Sequence, residues 1–256
     1  MSFSADPRAS RTYDGAPVET LAARWQLAGV QAYAAVGSTL DVAHAIGATA
    51  PSGTLILADE QTAGRGRQGR SWRSAPGAGV WLTLVERPAD ARSLDVLALR
   101  CGLFAAEALD DVAASPVHVK WPNDLYVGHR KLAGVLIETR WRGTAPEWVA
   151  IGFGLNVVSP DVETGVGLRP GVTRLNALDR IVPALRRAAA SSRHLSDAEL
   201  ARWQQRDLAV GRVAESPGTG VVQGIDASGQ LLILGDGRPH AYHSGSLTFA
   251  APLTCS

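Results

Sequence analysis

The segment from Gln61 to Trp72 constrains this 256-residue chain most, because glycine and arginine alternate along it. Its three arginines are permanently charged, and its glycines allow backbone conformations that approach a ligand closely. The apolar run 53–58 precedes it, and residues 80–85 read as a strand. The sequence therefore predicts a cationic loop at the edge of a sheet that suits an anion. Without an anion we expect the loop to be mobile, because neighbouring guanidinium groups repel one another.

The loop sequence also matches three other interpretations. Residues 64–69 satisfy G-x-G-x-x-G, with Glu86 near the position of a ribose-binding acid. The segment also approaches a P-loop, with Arg70 in place of the lysine. Both motifs must open a helix, but proline and two glycines occupy residues 76–79. A solvated basic turn stays open when the loop is judged alone.

Composition excludes several classes of protein. The 25 Lys and Arg nearly balance the 24 Asp and Glu, so no global field recruits nucleic acid or a membrane surface. The only two cysteines, Cys101 and Cys255, argue against a disulfide framework or a cysteine-rich zinc site. We find neither a membrane-spanning run nor a signal peptide, so we expect a cytoplasmic protein.

The hydrophobic pattern predicts alternating helices and strands. Ser38 or Thr39 is placed to cap a short helix. Glycines 152 and 154 alternate along a strand, which would leave one sheet face bare for something flat. Asp197 is a candidate cap for the last helix. The predicted helices are 18–27, 93–113 and a helical stretch over 183–208, and the predicted strands are 31–36, 53–58, 80–85, 117–121, 131–138 and 148–158.

The domain organisation follows from a change in composition at Gly211. Residues 1–16 are polar and predict a flexible leader, and 17–210 carry the long helical and apolar segments. Beyond Gly211 short strands and turns predominate, which predicts a small β-barrel over 211–256.

Five motifs taken together carry a family resemblance. They are Gly-Ser-Thr at 37–39, the arginine loop with Gln61, Lys-Trp-Pro-Asn-Asp at 120–124, Lys-Leu-Ala-Gly-Val-Leu-Ile-Glu at 131–138, and Gly-Phe-Gly-Leu-Asn at 152–156. In order and spacing they resemble the biotin protein ligases, over roughly residues 31–158. The resemblance implies an α+β fold: a mixed β-sheet flanked by helices, of the class II aminoacyl-tRNA synthetase and biotin ligase type, then an SH3-like C-terminal barrel. It also implies formation of biotinyl-5′-AMP from biotin and ATP and transfer of biotin to a lysine of a biotin carboxyl carrier domain.

The resemblance also implies roles for individual residues. The catalytic candidates are Arg67, Lys131, Asp124 and Lys120. The implied biotin-binding residues are Ser38, Thr39, Gln61, Gly64, Arg65, Arg67, Lys131, Gly134 and Val135. Those implied for ATP and the adenylate are Arg65, Arg67, Arg70, Trp72, Asn123 and Asn156. Arginine and lysine suit this chemistry, because joining a carboxylate to a phosphate requires several negative charges to be neutralised.

Asp124 is left with two alternative roles. It is the expected ligand of Mg²⁺ brought with ATP, since Mg²⁺ prefers oxygen and keeps several waters. It could instead be the base for the incoming lysine. Sequence does not choose between these roles.

The chain departs from the family pattern at Leu40, where asparagine usually follows Ser-Thr. The first thirty residues are too short for the DNA-binding domain of the bifunctional members, so DNA binding and repression are not expected. Monomer and homodimer both stay open. A lipoate or octanoate ligase or transferase, and a non-catalytic biotin- or nucleotide-binding regulator, are the alternative functions.

Overall fold

A computed structural model of the chain describes residues 9–88, 90–191 and 193–251. Cys255 and residues 1–8 of the predicted leader lie outside the described residues. In chain order the strands and helices are β1 (Thr12–Tyr13), β2 (Ala16–Pro17), α1 (Val18–Arg24), β3 (Gly29–Val36), α2 (Thr39–Ile46), β4 (Thr54–Gln61), β5 (Gly79–Glu86), α3 (Leu97–Leu109), β6 (Val117–Lys120), β7 (Asp124–Val127), β8 (Arg130–Arg142), β9 (Ala145–Asn156), α4 (Arg174–Ala190), α5 (Asp197–Arg206), β10 (Val213–Ser216), β11 (Gly220–Ile225), β12 (Leu231–Gly235), β13 (Arg238–Tyr242) and β14 (Thr248–Phe249).

The larger sheet has seven strands in the order β3-β4-β5-β9-β8-β7-β6. The β3–β4 pair is parallel and the other pairs are antiparallel, so the sheet is mixed as predicted. Strand β5 is buried along its whole length. A strand buried on both faces explains why residues 80–85 read as a continuous apolar run.

Two separate apolar clusters cover the two faces of this sheet. On β4, Leu55 and Leu57 belong to the large cluster with α3 and α4, whereas Ile56 belongs to the smaller cluster with Leu40 and Ala43 of α2. The alternation follows from the two-residue period of a strand.

The second sheet has five antiparallel strands in the order β13-β12-β11-β10-β14. Its buried residues Val222, Leu231 and Ile233 belong to the same apolar cluster as the helices of the larger unit. Trp121 Nε1 also donates to the Gly229 carbonyl at 3.0 Å. The predicted small C-terminal barrel is confirmed, and it shares its core with the rest of the molecule.

The described part of the predicted leader packs against the rest of the chain. The Ser10 amide donates to the Ala32 carbonyl at 2.6 Å. Tyr13 is buried, with the Arg174 guanidinium 4.5 Å from its ring centroid. The sequence missed this because one aromatic residue in a polar stretch carries no periodicity.

The helix predictions need three corrections. Helix α4 begins at Arg174 with Thr173 as its cap, so Pro183 lies inside the helix rather than at its start. Ser196, not Asp197, caps α5, because Ser196 and Glu199 form a capping box. The stretch predicted as one helix over 93–113 is a 3₁₀ turn (Ala91–Val96) followed by α3. No helix in the described ranges is both long and apolar enough to cross a membrane.

Candidate active site

A groove lies between the arginine loop, the sheet face beside α2, and the C-terminal barrel. It is lined by the predicted residues Ser38, Thr39, Gln61, Arg65, Arg67, Arg70, Trp72, Lys120, Asn123, Asp124, Lys131, Gly134 and Val135. These residues come from four of the five motifs, and Gly152 and Gly154 of the fifth motif also line the cavity. Of the predicted site residues, Gly64 and Asn156 lie outside the lining.

The floor of the groove is an ion pair built on neighbouring strands. Asp124 begins β7 and pairs with Gly134 of β8. Residues three apart on a regular strand point to opposite faces, but the register shifts at this point, so the Lys131 side chain lies beside Gly134. Lys131 Nζ lies 2.7 Å from Asp124 Oδ1. The ammonium and carboxylate are therefore preorganised by strand register.

The arginine loop is a tight hairpin closed by backbone hydrogen bonds. The Trp72 amide donates to the Gly64 carbonyl at 2.8 Å, and the Gly66 amide donates to the Arg70 carbonyl at 2.7 Å. Gln68 and Gly69 at its tip have φ of 57° and 71°. A Cβ at Gly64 would meet the Trp72 carbonyl oxygen at 2.4 Å, which explains that glycine as close packing of the hairpin.

The three loop arginines differ in their partners. Arg65 Nη1 lies 2.6 Å from Asp41 Oδ1, and its Nη2 lies 4.0 Å from Glu138. The expectation that the loop carries no counter-charge is therefore wrong for Arg65. Arg67 has no hydrogen bond or ion pair from its side chain within the described ranges. Burial lowers the pKa of Arg67, and the nearby Asp124 carboxylate opposes that shift.

The end of the groove at α2 is a hydrogen-bonded cluster. Gln61 Oε1 accepts from the Thr39 amide at 2.9 Å and from the Thr39 hydroxyl at 3.1 Å. Gln61 Nε2 donates to Ser74 Oγ at 2.9 Å. Ser38 caps α2, as predicted. Both ends of the Gln61 carboxamide are therefore hydrogen-bonded to protein groups, and the bonds to Oε1 fix the orientation of Thr39.

The glycine-bared sheet face holds the indole of Trp72. A Cβ at Gly154 would lie 2.7 Å from Trp72 Nε1, and one at Gly134 would lie 3.3 Å from the same ring. Lys131 Nζ lies 5.0 Å from the ring centroid. Trp72 Nε1 is buried without a hydrogen-bond partner in the described part of the structure. The flat group that the glycines accept is thus a side chain of the loop itself.

The predicted asparagines support the floor from behind. Asn123 Nδ2 donates to the Val135 carbonyl at 2.6 Å, and the Val135 amide donates to the Asn123 carbonyl at 2.9 Å. Asn156 Nδ2 donates to the Lys131 carbonyl at 3.4 Å. These contacts join two segments to β8, the strand that carries Lys131. One segment is the loop before β7, and the other is strand β9.

Lys120 lies between the floor and the barrel. Its Nζ is 5.7 Å from the centroid of the Tyr126 ring and 5.3 Å from that of Phe249. Burial lowers the pKa of Lys120, while Asp124 raises it. A lysine with this shift holds its proton less tightly than an exposed one.

Comparison with known proteins places this groove in a family. The profile of the Biotin/lipoate A/B protein ligase family matches residues 37–156. A biotin--[acetyl-CoA-carboxylase] ligase of Paracoccus denitrificans is 32% identical over 208 residues, which cover 70% of this chain and 83% of that protein. The chain belongs to the biotin/lipoate ligase family.

Other family members agree with this assignment. A bifunctional ligase/repressor BirA of Escherichia coli is 33% identical over 213 residues, which cover 77% of this chain and 66% of that protein. The chain thus spans about two thirds of the length of that relative. A biotin protein ligase from Aquifex aeolicus, solved in complex with biotin and ATP, superposes with a TM-score of 0.68 at 26% identity, covering 86% of this chain and 99% of that one.

The departure from the family pattern at Leu40 has a packing consequence. Leu40 is 4% exposed and lines the groove. A Cβ at Gly152 would lie 3.3 Å from its Cδ1, so Leu40 lies against a glycine of β9. This chain therefore has an apolar contact where the family pattern predicts an amide.

Sequence reasoning missed the contribution of the barrel to the groove. Ser246 and Leu247 line it together with Leu82, Trp121 and Phe153. Residues 244–247 lie between β13 and β14, and nothing in their sequence indicated proximity to a loop more than 170 residues earlier.

Proposed function

We propose that this chain is an ATP-dependent biotin–protein ligase. It forms biotinyl-5′-AMP in the groove and then transfers biotin to a lysine of a carrier domain. One observation carries the proposal most strongly: Arg67, a cation with no side-chain partner among the described residues, faces a groove whose floor is the Lys131–Asp124 pair. Family membership narrows the chemistry to acylation of a protein by a ligase.

The groove has a place for each part of the two substrates. The Ser38–Thr39–Gln61 cluster offers hydroxyl and amide groups to the ureido ring of biotin. Gly134 lets the acyl chain lie on the sheet. The Trp72 indole lies on the bared face near Lys131 and is the candidate platform for adenine.

In the first step a biotin carboxylate oxygen attacks the α-phosphorus of ATP, and pyrophosphate leaves. Arg67 and Lys131 offset the repulsion between the two anions and stabilise the charge of the transition state. Arg70 reaches the groove from the outer side of the loop and meets the departing phosphates. The half-buried setting of Arg67 strengthens these charge-assisted hydrogen bonds.

In the second step the amine of the carrier lysine attacks the biotinyl carbonyl, and AMP leaves. A lysine with the reference pKa requires about 4.6 kcal/mol to lose its proton at pH 7. Asp124 is the one carboxylate among the groove-lining residues, and one of its oxygens is held by Lys131. Its second oxygen can accept the proton or contact a metal, and both roles stay part of the proposal.

Mg²⁺ fits this site only as a partner of ATP. The described residues contain no cluster of three or more histidine, cysteine, aspartate or glutamate side chains able to hold a metal ion. One carboxylate amid several cations does not attract a free cation, but it suits an ion that arrives with phosphate ligands. Asp124 would hold it, and when bound it would neutralise phosphate charge.

A mixed anhydride of biotin and AMP hydrolyses readily, so water must be excluded until the carrier arrives. The arginine hairpin lies over the groove and is joined to the rest of the chain at its base. We propose that it orders over the adenylate and opens for the carrier. A cytoplasmic location, and a monomeric or homodimeric state, belong to the same proposal.

Biotinylation of a carrier domain tests the function directly. The purified chain, ATP, Mg²⁺ and biotin should label one carrier lysine, and a carrier with that lysine changed to arginine should stay unlabelled. Pyrophosphate release should saturate at lower biotin than lipoate concentration. The reverse order would identify a lipoate ligase. Binding of biotin or ATP with no pyrophosphate would identify a regulator.

A further inference from the structure

Ser246 of the C-terminal barrel makes two hydrogen bonds to the arginine loop. Arg70 Nη2 donates to Ser246 Oγ at 3.0 Å, and Ser246 Oγ donates to Gln68 Oε1 at 2.9 Å. A hydroxyl can donate once and accept, so both bonds are made by one group. The bond to Arg70 spans 176 positions of the sequence, and the bond to Gln68 spans 178.

These bonds hold the tip of the loop, whereas the loop's other contacts with the rest of the chain, such as Arg65 with Asp41, lie nearer its base. In the described part of the chain, the side chains of Gln68 and Arg70 make no other hydrogen bond or ion pair. The tip contains two consecutive residues with positive φ, and both are exposed. The loop base is tied by backbone bonds, whereas the tip depends on Ser246.

Ser246 is itself fixed by the barrel. The next residue, Leu247, is 3% exposed and belongs to the core shared by the two sheets. Trp121, at the floor of the groove, is bonded to the barrel at Gly229. The hydroxyl therefore has a defined position relative to Lys131 and Asp124, although it belongs to the segment between β13 and β14 of the C-terminal barrel.

We propose that Ser246 is a positioning residue through which the barrel keeps the arginine loop closed over the groove. It acts through Gln68 and Arg70 and takes no part in bond making. Because both bonds lie at the exposed side of the loop, water can replace them when the loop opens. The inference rests on the proposed function for its catalytic consequence, but its structural part needs no substrate.

The test compares three variants of the full chain. Ser246→Ala removes both bonds, and Ser246→Thr keeps the hydroxyl. Ser244→Ala is the matched control, because Ser244 is exposed in the same segment and has no described hydrogen bond. Thermal unfolding midpoints establish that all variants are folded.

Trypsin cleavage measures loop opening without any ligand. Cleavage after Arg65, Arg67 or Arg70 should be about three- to tenfold faster in Ser246→Ala, as expected for loss of hydrogen bonds of ordinary strength. Cleavage at Arg142, on the exposed β8–β9 hairpin, serves as the internal reference and should not change. Ser246→Thr should restore the parental rate, and Ser244→Ala should equal it.

The catalytic consequence is read from AMP released without carrier. Water then cleaves the acyl–phosphate bond and yields biotin and AMP. After the first equivalent of pyrophosphate has formed, Ser246→Ala should raise the rate of this AMP release by a similar factor. Equal loop cleavage in the parent and Ser246→Ala would overturn the proposal. If the parent chain makes no adenylate but the Ser246→Ala loop is still cleaved faster, the proposed function is refuted. The role of Ser246 in holding the loop is then still supported.

Discussion

The two sides of the groove are built differently. On the floor, Asp124 and Lys131 are placed by strand register and lie 2.7 Å apart. On the loop side, the Arg67 side chain has no hydrogen bond or ion pair within the described ranges, and the hairpin tip is held by a hydroxyl of the C-terminal barrel. The fold of the larger sheet places the charged groups of the floor, whereas the position of the loop also depends on contacts with other parts of the chain.

This difference separates two tasks of one reaction. Groups that stabilise charge during bond making must be fixed in advance, because ordering them later would cost free energy. Groups that hold an intermediate must also let it leave, so their contacts are few and solvent-exposed. Substitutions on the floor should therefore affect stability and chemistry together, whereas substitutions on the loop should affect chemistry and retention but not stability.

The largest effect is expected from Arg67→Ala on the loop side. Loss of one charged donor to a developing anion typically costs 10²- to 10³-fold in rate, and adenylate lifetime should fall by a similar factor. The urea unfolding midpoint should not change, because the side chain makes no hydrogen bond or ion pair in the described structure. Arg73→Ala is the matched control, since Arg73 is exposed beside the loop. An Arg67→Ala chain that retains the adenylate but unfolds earlier would make the loop structural.

The second prediction concerns the pH dependence of the free energy of unfolding that arises from Asp207, which lies next to a residue bonded to β6, the strand that pairs with β7 of the floor. Burial raises the pKa of Asp207 to about 6. The neighbouring Leu208 amide donates to the carbonyl of Val119, on the strand before Trp121. Because the folded state binds this proton more tightly than the unfolded state, the contribution of Asp207 is fully present below about pH 4 and is lost as pH rises to about 6. The total loss is about 3 kcal/mol from the size of the shift.

Urea unfolding of the parent and Asp207→Asn at pH 4, 5, 6 and 7 measures this contribution. The free energy of unfolding of the variant minus that of the parent should increase by up to about 3 kcal/mol over the range, then level off. The difference is used because carboxylates with lowered pKa, such as Asp110 and Glu199, act in the opposite direction in both chains. A difference independent of pH would show that Asp207 titrates normally.

The smallest effect is expected where loop and floor meet. Gly154→Ala would place a methyl group 2.7 Å from Trp72, so the indole must move off the sheet. We expect the KM for ATP to rise about tenfold, which is about 1.4 kcal/mol, with the KM for biotin little changed. Gly29→Ala on β3 meets no atom within 4 Å and should change neither KM. A larger effect on biotin than on ATP would place the nucleotide elsewhere.

Local patterns predicted most of the fold and the membership of the groove. Apolar runs identified β4, β5 and β8, and Ser38 was recognised as a cap because serine before an apolar helical pattern accepts amide hydrogen bonds. The five motifs were enough to collect Arg67, Asp124 and Lys131 in one site. Short-range chemistry was sufficient at these positions because register and turn geometry place the side chains.

Long-range contacts were what the sequence could not predict. The Asp41–Arg65 ion pair, the Trp72 indole on the glycine-bared strands, and the Ser246 bonds all join segments whose spacing carries no periodic signal. Pro183 misled the helix assignment, because proline is commoner at a helix start than inside one. Tertiary packing decided each of these cases.

A crystal structure of the chain with biotin and ATP tests the central claim most directly. The account predicts biotinyl-5′-AMP between the loop and the sheet, with Arg67 and Lys131 both within hydrogen-bond distance of the phosphate or carbonyl oxygens of the anhydride, and adenine against Trp72. An adenylate bound outside this groove, or bound in it with Arg67 directed into solvent, would contradict the account.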